Sequence, residues 1–450
     1  MADSDAPRIS AHTIPAPEAS ERMRAQATAS YEATPDEVNR VLLLYSGGLD
    51  TSVMLKWIQD EYEAEVVTLT VNLGQPGEDY EVVEGKARQL GAVDTYVVDA
   101  REEFDRDFIT PAIKANAIYG LGYPLFTAIG RPLIAKLAVE YARKSGCDTI
   151  AHGCTGKGND QVRFEVTTMA LNPKLKIIAP WREWTLKGRE DLLAYAEEFN
   201  VPVTATLRSI YSRDRNLFHM SHEAGPLENP WNEPPDDMYT LTTAPEKAPD
   251  TPQYIELEYV KGTPVALDGK PLPLLDLFMT LNKIGAAHGV GRIDMVENRL
   301  VGMKSRGVYE TPGGTILRRA QVALESICLD KQTLQYKDVL AVKYAELVYN
   351  GLWYTRIKKA LDAFVAVTQE NVTGTVRLKL YKGSVSIVGR KSPFSLYRED
   401  YASFGEENVY NQADAEGFIK LFGLPVKIER LMQQQADAAQ GVDYSKVKRD

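Results

Sequence analysis

From Arg40 to about Thr206 the chain alternates short apolar runs with longer segments whose apolar positions recur every three or four residues. Runs 41–45, 65–71, 95–99, 149–152 and 176–179 read as strands, and 80–90, 101–118, 132–143 and 187–198 as helices. A further helix-like stretch carries Val53, Met54, Trp57 and Ile58. This alternation predicts an α/β fold, a doubly wound parallel sheet covered on both faces. Ligands of such sheets bind beyond the carboxyl ends of the strands, where the loops beginning at Ser46 and after Ile150 fall.

Residues 225–253 carry many prolines and few periodic apolar positions, which marks an ordered crossing or a domain boundary. Beyond it, 254–260 and 265–267 flank a Lys261-Gly262 turn, and 375–381 pairs with 384–388 through Lys382-Gly383. Helices are expected over 274–287, 315–330 and 344–350, giving an α+β second domain. Pro425 opens a last helix with Ile428, Leu431 and Met432 on one face, a stripe that a neighbouring subunit or a fold-back would cover. The division expected is a disordered tail over 1–38, a nucleotide-binding domain over 39–206, a second domain over 207–424, and a carboxyl-terminal helix and tail over 425–450. The tail is rich in Ala, Pro, Ser, Thr and acids, lacks the apolar core of a signal peptide, and is too acidic for a transit peptide.

Composition narrows the function. The 450 residues are 44% hydrophobic and 25% charged, ordinary for a globular chain of two or three domains. A net charge of -10 argues against a broad nucleic-acid surface, so small molecules are the expected partners. Cys147, Cys154 and Cys328 have no metal-like spacing and predict reduced thiols in a cytoplasmic protein. No apolar stretch approaches the roughly 18 residues of a membrane span.

The chemistry starts at Ser46-Gly47-Gly48-Leu49-Asp50-Thr51-Ser52, between a strand and a helix. Two adjacent glycines let the backbone approach a ligand, and the first amides of the helix point outward without internal partners. With the hydroxyls of Ser46, Thr51 and Ser52 and the helix dipole, the loop is suited to phosphate. It is neither a Walker A loop nor a dinucleotide fingerprint. It resembles the pyrophosphate loop of the ATP pyrophosphatases, which split ATP to AMP and pyrophosphate, and by itself it allows several members of that group. A second cluster, His152-Gly153-Cys154-Thr155-Gly156-Lys157-Gly158-Asn159-Asp160 with Arg163, follows another strand. Its glycines again permit close approach, Lys157 can meet phosphate as a point charge, and Arg163 can fork onto a carboxylate.

With both clusters in view the chain resembles the argininosuccinate synthase family, which joins citrulline and aspartate using ATP. The resemblance runs from Val41 to about Arg430 and includes Val71-Asn72-Leu73-Gly74-Gln75, Glu223-Ala224-Gly225, Val296-Glu297-Asn298-Arg299 and Gly302-Met303-Lys304-Ser305-Arg306-Gly307-Val308-Tyr309-Glu310-Thr311-Pro312. It implies an adenine-nucleotide α-hydrolase-like first domain and a synthetase second domain. It implies ATP contacts at Tyr45, Ser46, Gly47, Gly48, Leu49, Asp50, Thr51, Ser52, Val71 and Gly153, and aspartate contacts at Thr155, Asn159 and Asp160. Citrulline would be held by Tyr123, Asn159, Arg163, Ser212, Ser221, Glu297 and Tyr309. Asp50, Lys157 and Asp160 are the candidates for catalysis. ATP serves as substrate with Mg²⁺, for which no protein ligands are assigned, and the family points to a homotetramer. Three positions depart from the family pattern: Ala128 where some relatives carry a citrulline-contacting serine, His222 where tyrosine is common, and Arg215 where a base is unusual.

The implied reaction begins with attack of the ureido oxygen of citrulline on the α-phosphorus, giving citrullyl-AMP and pyrophosphate. The amine of aspartate then displaces AMP. Asp160, Asp50 and the substrate phosphate all stay open as the acceptor of the aspartate proton. An amidotransferase or a tRNA thiolase on the same loop fits poorly with three scattered cysteines, a Met1-Ala2-Asp3 start and the acidic balance. A silent structural oligomer is at odds with two intact clusters.

Overall fold

The computed structural model describes residues 33–120, 122–202, 211–399 and 411–439. Most of the expected tail and the boundary near 206 lie outside these residues. The end of the tail that is described is packed: the Ala33 amide donates to the Ile177 carbonyl at 3.1 Å, and Val38 is buried.

Five strands form the first sheet: β1 (Arg40–Leu44), β2 (Glu65–Asn72), β3 (Asp94–Asp99), β4 (Thr149–Ala151) and β5 (Lys176–Ile178). All pairs are parallel in the order β3-β2-β1-β4-β5. The apolar runs serve two cores because successive side chains point to opposite faces. Leu42, Val67, Leu69 and Ile150 enter one core, where Ile129, Leu133 and Leu137 of Phe126–Ser145 cover them. Val41, Leu43, Val66 and Ala151 enter the other, beneath Met54, Leu55 and Ile58 of α1 (Leu49–Tyr62) and Val83 and Ala87 of α2 (Tyr80–Gln89). The chain leaves β1 toward β2 on one side while β4 lies on the other. The order therefore reverses between β1 and β4, and the crevice opens beyond their carboxyl ends.

Two expected helices differ from the structure. Segment 101–118 is a helix Arg101–Phe104, a π-helical turn Asp105–Ile109 and a helix Thr110–Lys114. Pro111 has no amide to give the Asp107 carbonyl, and the widened turn absorbs that loss. The helix expected to start at Pro132 begins at Phe126, after Leu125 at φ 68°, and carries Pro132 inside it.

The second region contains a five-stranded antiparallel sheet made by Gln253–Val260, Thr263–Leu267, Lys270–Pro271, Gly374–Tyr381 and Ser384–Lys391. Both expected turns are present, with Lys261-Gly262 and Lys382-Gly383 all at positive φ. Leu277, Phe278 and Leu281 of Leu274–Ala287, and Ile316, Leu317 and Leu324 of Pro312–Cys328, join Ile255, Leu257, Val376 and Leu378 in a core continuous with one face of the parallel sheet. Helix Lys331–Tyr349, expected only over 344–350, and helix Arg356–Thr368, not expected, complete this part. A third sheet was not foreseen: Arg292–Asn298 pairs with Lys304–Glu310, which pairs with Met220–His222. The described residues up to Leu396 form one compact unit. In the unit that begins at Tyr397, helices Asp414–Phe422 and Leu424–Ala439 present exposed Phe418, Phe422, Ile428, Leu431 and Met432. Among the described residues no helix is long and apolar enough to cross a membrane.

Candidate active site

The first glycine loop closes on itself before any ligand is considered. Gly47 sits at φ 72°, and a Cβ there would lie 3.0 Å from a methyl group of Val83, so a side chain would be both strained and crowded. Gly48 is the extended residue before α1. The hydroxyls of Tyr45 and Ser52 meet at 3.0 Å, those of Ser46 and Thr51 at 3.1 Å, and the Ser46 amide donates to Thr51 Oγ1. These bonds hold the loop while the first-turn amides of α1 stay free of intrahelical acceptors. Asp50 lies in that turn, and burial raises its carboxyl against the opposing pull of Arg189. Beside the loop is a crevice of about 280 Å³, lined by Tyr45, Ser46, Val71, Gln75, Phe164 and Arg215 among others. Val71 lies near the end of β2, where its carbonyl accepts from the Gln75 side-chain amide at 3.0 Å.

The loop after β4 is braced from beneath. His152 accepts the Cys154 amide at Nδ1 (3.3 Å), which leaves Nε2 to donate to Glu165 at 3.0 Å; Arg182 holds the same carboxylate oxygen at 2.6 Å. The Gln161 side-chain amide donates to the carbonyls of Gly156 and Gly158. Gly153 lies against α1, where a Cβ would contact Met54 and Thr51, so the two loops are neighbours across the switch in strand order. Thr155 and Lys157 are exposed at the tip, and the Lys157 ammonium makes no hydrogen bond among the described residues. Arg299 instead holds the Lys157 carbonyl at 3.3 Å. The Cys154 thiol is pushed far up by burial and has no thiolate character.

At the start of α4 (Asp160–Leu171), Asp160 accepts from Arg131 at 2.7 Å and from Arg163 at 2.9 Å. Burial alone would raise its carboxyl, yet the two guanidiniums hold it at about 2. Arg131 reaches on to Asp214 at 2.8 Å, and Ser221 Oγ accepts the Asp214 amide at 3.0 Å. The Arg163 Nε donates to the Tyr349 carbonyl and its guanidinium lies 4.7 Å from the centre of the Tyr349 ring. Its Nη2 is buried with no partner, a donor aimed where a ligand carboxylate would satisfy it.

A tyrosine and carboxylate network forms the remaining wall. Tyr349 donates to Glu297 at 2.7 Å and accepts from Asn159 at 2.9 Å, Tyr309 donates to Glu297 at 3.1 Å, and the Tyr123 ring stands edge-on to both tyrosines. Glycine at 307 is required because a side chain there would collide with the Tyr309 hydroxyl that reaches Glu297. The alternative of a surface pair between Glu297 and Arg299 is not what forms: Arg299 pairs with Glu223 at 2.9 Å. Burial raises the Glu223 carboxyl to about 7, against Arg299 and with the help of Glu297 and Asp160.

Thus Tyr123, Asn159, Asp160, Arg163, Glu297 and Tyr309 are joined in one network, and Ser221 is linked to it through Asp214 and Arg131. Ser212 is exposed and touches Glu223 only through backbone bonds. Of the departures, Ala128 is fully buried and Thr127 beside it is engaged with His219 at 3.2 Å. His222 is buried against Glu310 at 2.8 Å, and Arg215 lines the crevice beside the first glycine loop and pairs with Glu78 at 2.7 Å. Sequence reasoning missed Tyr349, Arg131 and Asp214. Arg131 lies three residues beyond Ala128, and Asp214 between Ser212 and Arg215, but nothing local marks a tyrosine at a helix end as a site residue.

Two family models match the chain, the arginosuccinate synthase N-terminal HUP domain over residues 40–202 and the arginosuccinate synthase C-terminal domain over residues 211–429. The argininosuccinate synthase of Roseiflexus sp. (strain RS-1) is 60% identical over 398 residues, covering 88% of this chain and 98% of that protein. That of Alkaliphilus metalliredigens is 58% identical over 396 residues, covering 88% and 95%. The chloroplastic enzyme of Arabidopsis thaliana is 56% identical over 398 residues, covering 88% and 81%. With both halves matched in order and the paired loops, the Asp160 ion pairs and the Glu297 network in place, the chain belongs to the argininosuccinate synthase family.

Proposed function

We propose that the crevice between β1 and β4 carries the family's ligase reaction, with ATP over the loop at Ser46, citrulline against the Glu297 network and aspartate at the loop from Thr155 to Asp160. The observation that carries this reading is the meeting of the two loops at the switch in strand order, with the unpaired Arg163 Nη2 beside them. The ureido oxygen of citrulline attacks the α-phosphorus and pyrophosphate leaves; the aspartate amine then attacks the activated carbon and AMP leaves.

The amides from Gly47 to Thr51 and the hydroxyls of Ser46, Thr51 and Ser52 stabilise the charge that grows on the leaving pyrophosphate, and Lys157, free at its loop tip, adds a movable positive charge. Arg163 Nη2 takes the carboxylate of citrulline, and Glu297, held by two tyrosine hydroxyls, faces its ammonium. Asp160 is a weak base because Arg131 and Arg163 hold it ionised, so its role is to orient aspartate. Asp50 is the carboxylate of the phosphate loop. Mg²⁺ would be held chiefly by the phosphates of ATP, where it would neutralise charge on the leaving group. The exposed apolar helices after residue 411 suit a homotetramer, and the reduced, scattered cysteines suit the cytoplasm.

Incubation with ATP and Mg²⁺, adding citrulline and aspartate singly and together, tests the scheme. AMP, pyrophosphate and argininosuccinate are expected only with both amino acids, and ureido-¹⁸O citrulline should pass its label to AMP. Release of ADP, or label kept in the amino-acid product, overturns it.

A further inference from the structure

Outside the active site, the described residues enclose a cavity of about 350 Å³ between segment 112–118 and the start of Pro312–Cys328. Its lining includes Arg292, Arg318 and Arg319 and no aspartate or glutamate, in a chain with 62 acidic residues. Arg292 is committed: it donates to the Thr242 hydroxyl and carbonyl and stacks on Tyr239. Arg318 differs. Its guanidinium makes no hydrogen bond or ion pair among the described residues, and its Nε is buried without a partner. Burial and the neighbouring charge of Arg319 press against its protonated form, a cost that an anion alongside would relieve.

A second unmet group lies in the same wall. Asn116 gives its side-chain N–H to Glu325 at 2.9 Å, which fixes the amide's orientation, because a carboxylate can only accept. Asn116 Oδ1 is thereby left buried and without a donor. An uncompensated donor set on Arg318 and an uncompensated acceptor on Asn116 call for complementary groups on one molecule. The rest of the lining is largely apolar, with Ile113, Pro124 and Phe218, and the Thr315 hydroxyl adds one polar contact.

We propose that this cavity binds a small carboxylate that also carries an N–H group, the carboxylate on Arg318 and Arg319 and the N–H toward Asn116, at a site separate from those of ATP, citrulline and aspartate. Inorganic phosphate could offer its P–OH to Asn116 but has no apolar body for Ile113, Pro124 and Phe218, so the site should prefer the carboxylate. The test uses the full-length enzyme saturated with citrulline, aspartate and the non-cleavable α,β-methylene-ATP, so that the carboxylate and phosphate positions of the active site are filled and no turnover occurs. N-acetylglycine, acetate and inorganic phosphate are each titrated by calorimetry. N-acetylglycine should bind saturably at one site per chain and more tightly than the other two. Arg318→Gln should weaken it by on the order of 10-fold or more while leaving turnover unchanged. Should that variant fail to fold, crystals of the wild type soaked in N-acetylglycine should place the ligand's carboxylate within hydrogen-bond reach of Arg318. No saturable binding, equal binding in Arg318→Gln, a preference for phosphate, or a soaked ligand elsewhere would each overturn the proposal.

Discussion

Asp160→Asn removes one negative charge from between two arginines and changes little in shape, which makes its cost readable. In the folded protein the carboxyl lies at about 2, against its ordinary 3.8, with Arg131 and Arg163 outweighing burial. A carboxylate whose folded value is depressed contributes stability that is fully present above the unfolded value and is lost as pH falls through the folded one. The difference corresponds to about 2 kcal/mol at pH 7, about half of it gone by pH 3. Arg131 keeps Asp214 and Arg163 keeps the Tyr349 carbonyl, so the variant leaves neither guanidinium wholly unpaired. The penalty should therefore stay near this figure rather than reach the roughly 3–5 kcal/mol of a fully orphaned buried charge. Denaturant unfolding of wild type and variant from pH 7 down to pH 3 reads the gap directly. A gap that does not narrow with acid, or its absence at pH 7, would refute the argument that Asp160 is an ion-paired anchor. The same variant should raise the KM for aspartate while the KM for ATP changes little.

Other outcomes follow from the same geometry. Lys157→Ala should lower turnover by on the order of 100-fold with little change in stability, since its ammonium is exposed; wild-type turnover would make Lys157 a bystander. Tyr349→Phe removes the donor to Glu297 and the acceptor for Asn159, and should raise the KM for citrulline roughly 10-fold at a stability cost of about 1–3 kcal/mol, measured by steady-state kinetics and unfolding. Asp105 is buried, and burial raises its carboxyl to about 7, so its ionisation destabilises the fold as pH rises from the unfolded value through 7. Asp105→Asn should thus gain stability relative to wild type at pH 8 and lose that gain by pH 4, which thermal unfolding across pH would show.

The parallel sheet, both glycine loops and the two tight hairpin turns were legible along the chain, because each depends on residues close in sequence: alternating apolar side chains, glycines at positive φ, a strand leading into a helix. Where reading failed, a local rule met a tertiary one. Pro132 looked like a helix start because proline suits the first turn, yet the buried side chains of Phe126 and Ile129 extend the helix before it. The strands 292–298 and 304–310 went unseen because Arg292, Asp294, Glu297, Lys304 and Arg306 leave only the short alternation of Ile293 and Met295; the charged side chains are met by ion pairs and by the Glu297 network, including Arg306 on Asp294 at 2.6 Å.

The site divides along the same line. By its own order of residues the chain determined a loop suited to phosphate, since a strand, two glycines and the exposed amides of a following helix need nothing from elsewhere. Which side chains are joined to one another there was decided only by folding. Asn159 meets Tyr349 across 190 residues, Asp160 gains its acidity from Arg131 as well as Arg163, and Arg163 is left with a single unpaired nitrogen because the Tyr349 carbonyl takes its Nε and Asp160 its Nη1. Charge, burial and hydrogen-bond saturation are properties of neighbours in space, and no spacing along the chain encodes them.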